Sequence, residues 1–217
     1  MKQWWALSAL IISLTATAAD DAERALEGWL QRQSQLRSFV AEVEQQRALA
    51  TLSRPLVAQG RVWVQPPQHM RWELGQPPQT IAVRAGQLLT VSYPLLDEIE
   101  QFSLDAADNP AAQQALALLQ AGFPVSIEEF GQNYAFIQGR KAEGLWQFEL
   151  EPQQSGRRRL LKSIVLEVDA QNLRLRGTVF RFPDGSEMRN RFSAIQENQP
   201  LEAGLFSSPT QGPGVTE

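Results

Sequence analysis

The chain has no cysteine and a single histidine among its 217 residues. The missing cysteines exclude a disulfide framework, a thiol nucleophile, thiolate metal sites and a lipid-modified N-terminal cysteine. The one histidine, His69, alternates with Met70 and Trp72 and so points away from their apolar face. A lone surface histidine is a weak basis for acid–base catalysis, which needs a base within reach of its proton. No glycine-rich phosphate loop, nucleophile elbow or metal-ligand spacing is present. Excess positive charge is missing too: 20 Lys and Arg against 24 Asp and Glu give a formal charge of −4, so no nucleic acid partner is expected. Beyond residue 20 no apolar run approaches the ~20 residues that span a bilayer. The acidic clusters have structural readings, Asp97, Glu98 and Glu100 as a solvated strand edge and Glu128 and Glu129 as part of a helix cap. Nothing around them suggests the apolar setting that raises a carboxyl pKa for acid catalysis. The expectation is a protein with no catalytic residue, no metal site and no cofactor, and therefore not an enzyme.

What is present begins with an address. Lys2 supplies a short positive start, residues 4–14 form an apolar run, and Ala16-Thr17-Ala18 or Thr17-Ala18-Ala19 offers small-residue cleavage. Residues 1–19 therefore read as a signal peptide cleaved near Ala18 or Ala19, a retained anchor being the alternative. Loss of Lys2 moves the charge to −5. Residues 20–217 suffice for one sizeable core at ~100–200 residues per domain, and neither a repeat nor a linker divides them.

The remainder alternates between two periodicities. Residues 20–37 carry Ala22, Ala25, Leu26, Trp29 and Leu30 on one stripe, the spacing of an amphipathic helix. From residue 38 to 47 the period drops to two. Residues 60–74, GRVWVQPPQHMRWEL, hold two half-buried strands broken by Pro66-Pro67, because a double proline cannot donate within a paired ladder. Val62 and Val64 share one face of the first strand, and Met70, Trp72 and Leu74 one face of the second. Further strands are predicted at 79–84, 88–93, 98–104, 134–138, 145–151, 161–169, 173–182 and 186–194, the last two joined at Pro183-Asp184-Gly185. Two helical pieces intervene. Residues 110–121 have Asn109 as N-cap, Pro110 at the first helical position and Gly122 at the end. Ser126-Ile127-Glu128-Glu129 has capping-box spacing.

About ten strands with helices at the start and middle predict a mainly β chain with helices (α+β), built on one large, strongly curved antiparallel sheet. Its concave face must be filled, either by side chains or by a ligand cavity capped by the helices. Adaptable Met70 and large Trp72 favour the cavity, as does the small surface of residues 111–119, suited to a detachable cover. Arg157-Arg158-Arg159 reads as a solvated hairpin turn or as a docking patch for an acidic partner or anionic head groups.

Several segments, in order, resemble the LolA family of periplasmic carriers, which take acylated lipoproteins from the inner to the outer membrane. Phe39-Val40-Ala41-Glu42-Val43-Glu44-Gln45 is similar to its first-strand FxAxFxQ signature, with Val43 in place of the second aromatic. Residues 60–72 look like its G-x-hydrophobic-W-hydrophobic block with the following Pro and Trp. Residues 81–83, Gly86 and 91–94 follow its next strands, and residues 206–215 its aromatic-Pro-Gly-Val ending. The resemblance implies an incomplete β-barrel whose apolar concave face is covered by helices and shields acyl chains. On that basis Phe39, Val43, Val62, Val64, Met70, Trp72, Ile81, Val83, Val91, Ile164 and Leu166 are expected to line the cavity, and Leu116 and Leu119 to form its lid. It also implies a monomer in the periplasm, acylated lipoprotein or lipid cargo, an ABC-type inner-membrane exporter and an outer-membrane lipoprotein receptor. The alternatives are a carrier of another acylated lipid or glycolipid, and an envelope lipid or lipoprotein sensor. At the position before the proline where the family has an arginine that latches the lid, this chain has Pro66; Arg61 and Arg71 alternate away from the inferred interior.

Overall fold

The computed structural model describes residues 12–104, 114, 118, 122–124 and 126–208. Helix α1 (Ile12–Ser34) precedes six strands: β1 (Phe39–Ala48), β2 (Leu56–Gln65), β3 (His69–Leu74), β4 (Thr80–Ala85), β5 (Leu88–Tyr93) and β6 (Glu98–Ser103). After helix α2 (Ile127–Asn133) come β7 (Tyr134–Ala142), β8 (Leu145–Pro152), the short helix α3 (Ser155–Leu160), β9 (Ser163–Asp169), β10 (Leu175–Arg181) and β11 (Glu187–Glu197). The predicted helix over 110–121 falls outside the described residues except for Gln114 and Leu118, both helical.

All eleven strands join one antiparallel sheet in the order β6-β5-β4-β3-β2-β1-β11-β10-β9-β8-β7, with β6 and β7 at its two ends and no closure between them. The chain builds one half as a meander outward from β1 and the other inward to β11, so β1 and β11 meet at the centre. Register shifts at Val40/Glu42, Phe136/Gln138 and Leu175/Gly177 insert the extra residues that bend strands.

Residues directly opposite in an antiparallel ladder share a face. The inner face therefore runs continuously from Leu89 through Ala82, Trp72, Val62 and Ala41 on one half. On the other it runs from Phe192 and Phe180 through Ile164 to Leu150 and Phe136. Helix α1 places Leu26, Trp29 and Leu30 on this face, and α2 adds Phe130, which meets the Trp29 ring edge-on at 6.0 Å. Phe123 closes against Phe39 at 5.0 Å. Ser126 caps α2, its Oγ accepting from the Glu129 amide at 3.1 Å, as the capping-box spacing predicts.

The outer face is polar. Arg181 pairs with Glu149 at 2.8 Å and Arg189 with Glu167 at 2.8 Å, Glu187 lying between them at 3.6 and 3.5 Å. Over β3–β5 the outer face is covered by the C-terminal segment. Arg71 donates to the Leu205 carbonyl, His69 stacks tilted on Phe206 at 5.4 Å, and the Thr90 and Ser208 hydroxyls lie 3.2 Å apart.

Several boundaries differ from the sequence reading: β2 begins at Leu56 and not at residue 60, β7 runs to Ala142 past residue 138, and β11 runs to Glu197 past residue 194. Helix α1 is described from Ile12, within the predicted signal peptide, and ends at Ser34, where Gln35 and Leu36 turn back onto the Arg32 and Gln33 carbonyls. Arg157, Arg158 and Arg159 sit in α3 and not in a hairpin turn, since residues 155–160 close a helical turn before β9. Arg157 donates to Asn133 Oδ1 at 2.7 Å, leaving Arg158 and Arg159 exposed.

Candidate functional site

Most of the described inner face is filled by the chain's own side chains, but an apolar groove remains among the described residues. It lies at the β3–β5 end, has a volume of about 170 Å³, and is walled by Trp72, Leu74, Ala82, Leu89, Val91 and Met188 beneath Leu118. That is close to the ~150 Å³ apolar cavity that accepts benzene. Polar side chains stand along one margin, where Gln45 Nε2 donates to Asn190 Oδ1 at 3.0 Å and Asn190 Nδ2 donates to Thr178 Oγ1 at 3.0 Å. Trp72 is fully packed against Phe192, ring to ring at 6.0 Å, and its indole Nε1–H is buried without an acceptor among the described residues.

Phe39, Val43, Val62, Val64, Met70, Trp72, Ile164 and Leu166 are brought together on the inner face and are buried in one core. Val91 is half-buried on the same face and, with Trp72, lines the groove. Ile81 and Val83 do not join them. The β3–β4 ladder sets Trp72 opposite Ala82 and Met70 opposite Arg84, so Thr80, Ala82 and Arg84 turn inward while Ile81 and Val83 turn outward with Glu73 and Arg71. Apolarity alone misassigned them: Val83 is only 1% exposed because the outer face there lies under the C-terminal segment. The predicted lid residues Leu116 and Leu119 lie outside the described residues; Leu118, between them, is the one seen over the groove.

Sequence reasoning missed Ala82, Leu89 and Met188, whose inward direction depends on register. It also missed Arg84, the arginine that does face inward. Arg84 is 6% exposed and its Nε donates to the Gly86 carbonyl at 3.1 Å. Burial lowers its pKa below the ordinary guanidinium value, and the Glu129 carboxylate of α2 opposes that by favouring the charged form. Arg61 and Arg71 point outward as predicted, Arg61 over the Trp63 ring at 5.1 Å and Arg71 onto Glu73 at 2.6 Å.

Larger grooves exist on the outer face, one of about 590 Å³ between Glu42, Glu44, Arg61 and Glu73 and one of about 310 Å³ among the Arg181 and Arg189 ion pairs. Charged walls make them unsuited to apolar cargo, since each buried charge left unpaired is costly. Among the described residues no group of three His, Cys, Asp or Glu could hold a metal ion, and no helix is long and apolar enough to cross a membrane.

Together these features define a class: an unclosed antiparallel sheet whose apolar inner face is capped by helices and keeps a groove beneath them. Within that class the chain belongs to the LolA family, whose model, described as outer membrane lipoprotein carrier protein LolA, matches residues 34–209. It is 26% identical over 206 residues to an outer-membrane lipoprotein carrier protein of Chromohalobacter salexigens, covering 94% of this chain and 91% of that protein. Another such protein, from Pectobacterium carotovorum, is 28% identical over 100 residues, 46% of this chain and 48% of the relative. Among solved structures, a DUF1329 family protein from Desulfovibrio piger superposes with a TM-score of 0.51 at 8% identity, over 87% of this chain and 97% of that one. MucB does so with a TM-score of 0.50 at 12% identity, over 88% of this chain and 64% of that one. These two likenesses concern the fold alone. Family membership supports a lipoprotein- or lipid-carrying role.

Proposed function

We propose that the protein is a soluble periplasmic carrier that shelters the acyl chains of lipoproteins and moves them from the inner to the outer membrane without catalysing a reaction. Residues 1–19 would direct export and residues 20–217 form the carrier, working as a monomer between an ABC-type exporter and an outer-membrane receptor. The observation that carries the reading is the apolar groove under Leu118, set in a continuous apolar inner face. Acyl chains gain ~0.8 kcal/mol per CH₂ on leaving water, so a dry wall of this kind is what carriage requires. At about 170 Å³ the groove holds only a fraction of one chain. Loading then means displacement of the helical cover, a second state reached when cargo replaces Trp29, Phe123 and Phe130 against the wall of Phe39, Val43, Val62, Val64, Met70, Ile164 and Leu166.

The test is uptake of a synthetic diacylated cysteine lipopeptide from detergent, followed by native mass spectrometry. Leu74, half-buried at the groove wall, is replaced by Glu. An unpaired carboxylate there should lower uptake by about a hundredfold or more while the fold persists. Full uptake by a folded Leu74→Glu protein would overturn the groove assignment.

A second reading, carriage of another acylated lipid or a glycolipid, is favoured by Pro66, which can supply neither the charge nor the donor of the family's latch. Lipid extracted with the protein from the periplasm decides it: recovery of acylated lipoprotein alone removes this reading.

A further inference from the structure

The β1–β2 hairpin is left bare by the rest of the fold. Residues 50–57 are exposed without interruption, and Leu52, Leu56 and Val57 among them are 47, 53 and 56% exposed. Single surface leucines need no explanation, but three large aliphatic side chains on one exposed hairpin form a patch. Arg47 and Arg54 flank them, both exposed, and residues 45–60 contain no carboxylate. In a chain of formal charge −4 this is a local reversal of sign. The carboxylates nearest along the sheet are engaged elsewhere. Glu187, opposite Ala48, faces Arg181 and Arg189, Asp184 accepts from Ser186, and Glu44 faces Arg191. The other exposed leucine pair, Leu95 and Leu96, is followed by Asp97 and Glu98 and has no such basic flank.

The hairpin also stands at the groove end of the sheet. Antiparallel pairing sends the β1–β2, β3–β4 and β10–β11 connections to the same end. Leu74 and Thr80, which flank the β3–β4 turn, line the groove there together with Gln45 and Met188. Met188 is the ladder partner of Arg47, and Arg47 that of Leu56. One inner-face row therefore runs from the groove wall onto the hairpin. Helix α3 joins β8 to β9 at this end too, adding the exposed Arg158 and Arg159.

We infer that the β1–β2 hairpin is a membrane-docking element. Leu52, Leu56 and Val57 enter the head-group region of an anionic phospholipid bilayer, while Arg47 and Arg54 meet the lipid phosphates. The arginines select an anionic surface, and the aliphatic side chains select a bilayer over a dissolved polyanion. A few apolar side chains and two charges give reversible attachment, as suits a protein that must also leave. Docked in this way, the molecule sets the groove end of its sheet against the membrane. The inference goes beyond the carrier reading, and vesicle binding is measured without cargo.

The experiment is co-sedimentation of the protein, purified from the periplasm, with vesicles of phosphatidylcholine alone or mixed equally with phosphatidylglycerol. Binding to the anionic vesicles should be stronger by about tenfold or more, and should fall as salt rises from ~0.05 to ~0.5 M. Replacing both arginines, Arg47→Gln with Arg54→Gln, should weaken it by about tenfold or more, since each basic residue at such a surface is worth about fivefold. Leu52→Ser with Leu56→Ser should weaken it by about tenfold through lost apolar burial. All four side chains are exposed, so both variants should keep the native unfolding midpoint and take up lipopeptide from detergent as the native protein does. A second readout uses the absence of cysteine from the chain. An environment-sensitive fluorophore on Leu52→Cys should shift to the blue on anionic vesicles. The same label on Gln171→Cys, in the β9–β10 turn at the opposite end of the sheet, should not. Absence of vesicle binding overturns the inference in favour of a protein partner for this hairpin. Binding that neither double variant weakens, that ignores lipid charge, or that shifts both labels alike also overturns it. Loss of lipopeptide uptake in folded variants would place the hairpin in cargo binding and overturn it as well. Failure of the native protein to take up lipopeptide bears on the carrier reading alone.

Discussion

At Gly60 the β2–β3 ladder comes so close that an added Cβ would stand 1.8 Å from the Glu73 carbonyl oxygen and 2.8 Å from its carbon. Both are backbone atoms and cannot rotate aside. Gly60→Ala should therefore cost ~3 kcal/mol, the upper range of overpacking, read as a lowered midpoint in urea unfolding. Gly131 is the opposite case, a glycine within α2 whose added Cβ meets nothing within 4 Å. Gly131→Ala should stabilise by ~0.5–1 kcal/mol, because alanine lowers the entropy lost on forming the helix. Asp169 carries the clearest acid dependence. The Gln171 amide, the Arg176 guanidinium and the Asn172 amide hold its carboxyl below the ordinary range. A depressed native pKa stabilises the fold above the unfolded value of ~3.9, and the contribution is lost as pH falls through the native value. Asp169→Asn should thus lower Tm near neutrality, and the gap to the native protein should close as the pH falls below about 4.

Between elements, the informative coupling is one of charge, between the sheet and α2. Arg84 is buried on the inner face of β4, and the Glu129 carboxylate of α2 favours its charged form. Glu129→Gln leaves the backbone amide that Ser126 caps but removes the countercharge, so Arg84 loses part of what offsets its burial. Amide exchange in α2 should quicken about fivefold, corresponding to ~1 kcal/mol. Unchanged exchange would mean that α2 is held by Phe130 and its neighbours alone. The same strand shows where a sequence stops being legible. Period-two alternation located β3 and its inner residues Met70 and Trp72, because there the apolar residues occupy one face only. In β4 apolar residues lie on both faces, Ala82 along the groove and Val83 beneath the C-terminal segment, so apolarity does not tell the inner side from the outer, where Ile81 is half-buried and Val83 buried. Only the ladder opposite Trp72 distinguishes Ala82 from its neighbours. Arg84 was hidden for the same reason, since an inward arginine looks outward whenever polarity is taken as the guide. The capping box at Ser126 and the turn at Pro183-Asp184-Gly185 depended on local chemistry and were readable without the fold.

For the whole molecule, the decisive property is that the sheet does not close. In the carrier reading an open sheet spreads its apolar inner face to admit cargo, and among the described residues its two end strands, β6 and β7, are each paired on one side only. Such edges template pairing with a second chain unless charge, brevity or a bulge opposes it. Strand β7 has a register shift at Phe136/Gln138 and carries Arg140 and Lys141. Strand β6 is six residues long and exposes Glu98 and Glu100. Two copies meeting β6 to β6 in antiparallel register would bring these carboxylates together, and like charges opposed across strands repel. Replacing both by threonine keeps the strand polar, raises its β-propensity and removes the repulsion. Light scattering coupled to size exclusion should then find more dimer in the Glu98→Thr, Glu100→Thr protein than in the native chain at equal concentration. The dimer should lose lipopeptide uptake in proportion to its population, because an edge paired to a second sheet cannot spread. If the double variant stays monomeric, β6 is protected by its brevity and twist and not by charge. If it dimerises yet loads normally, the inner face opens without movement at this edge.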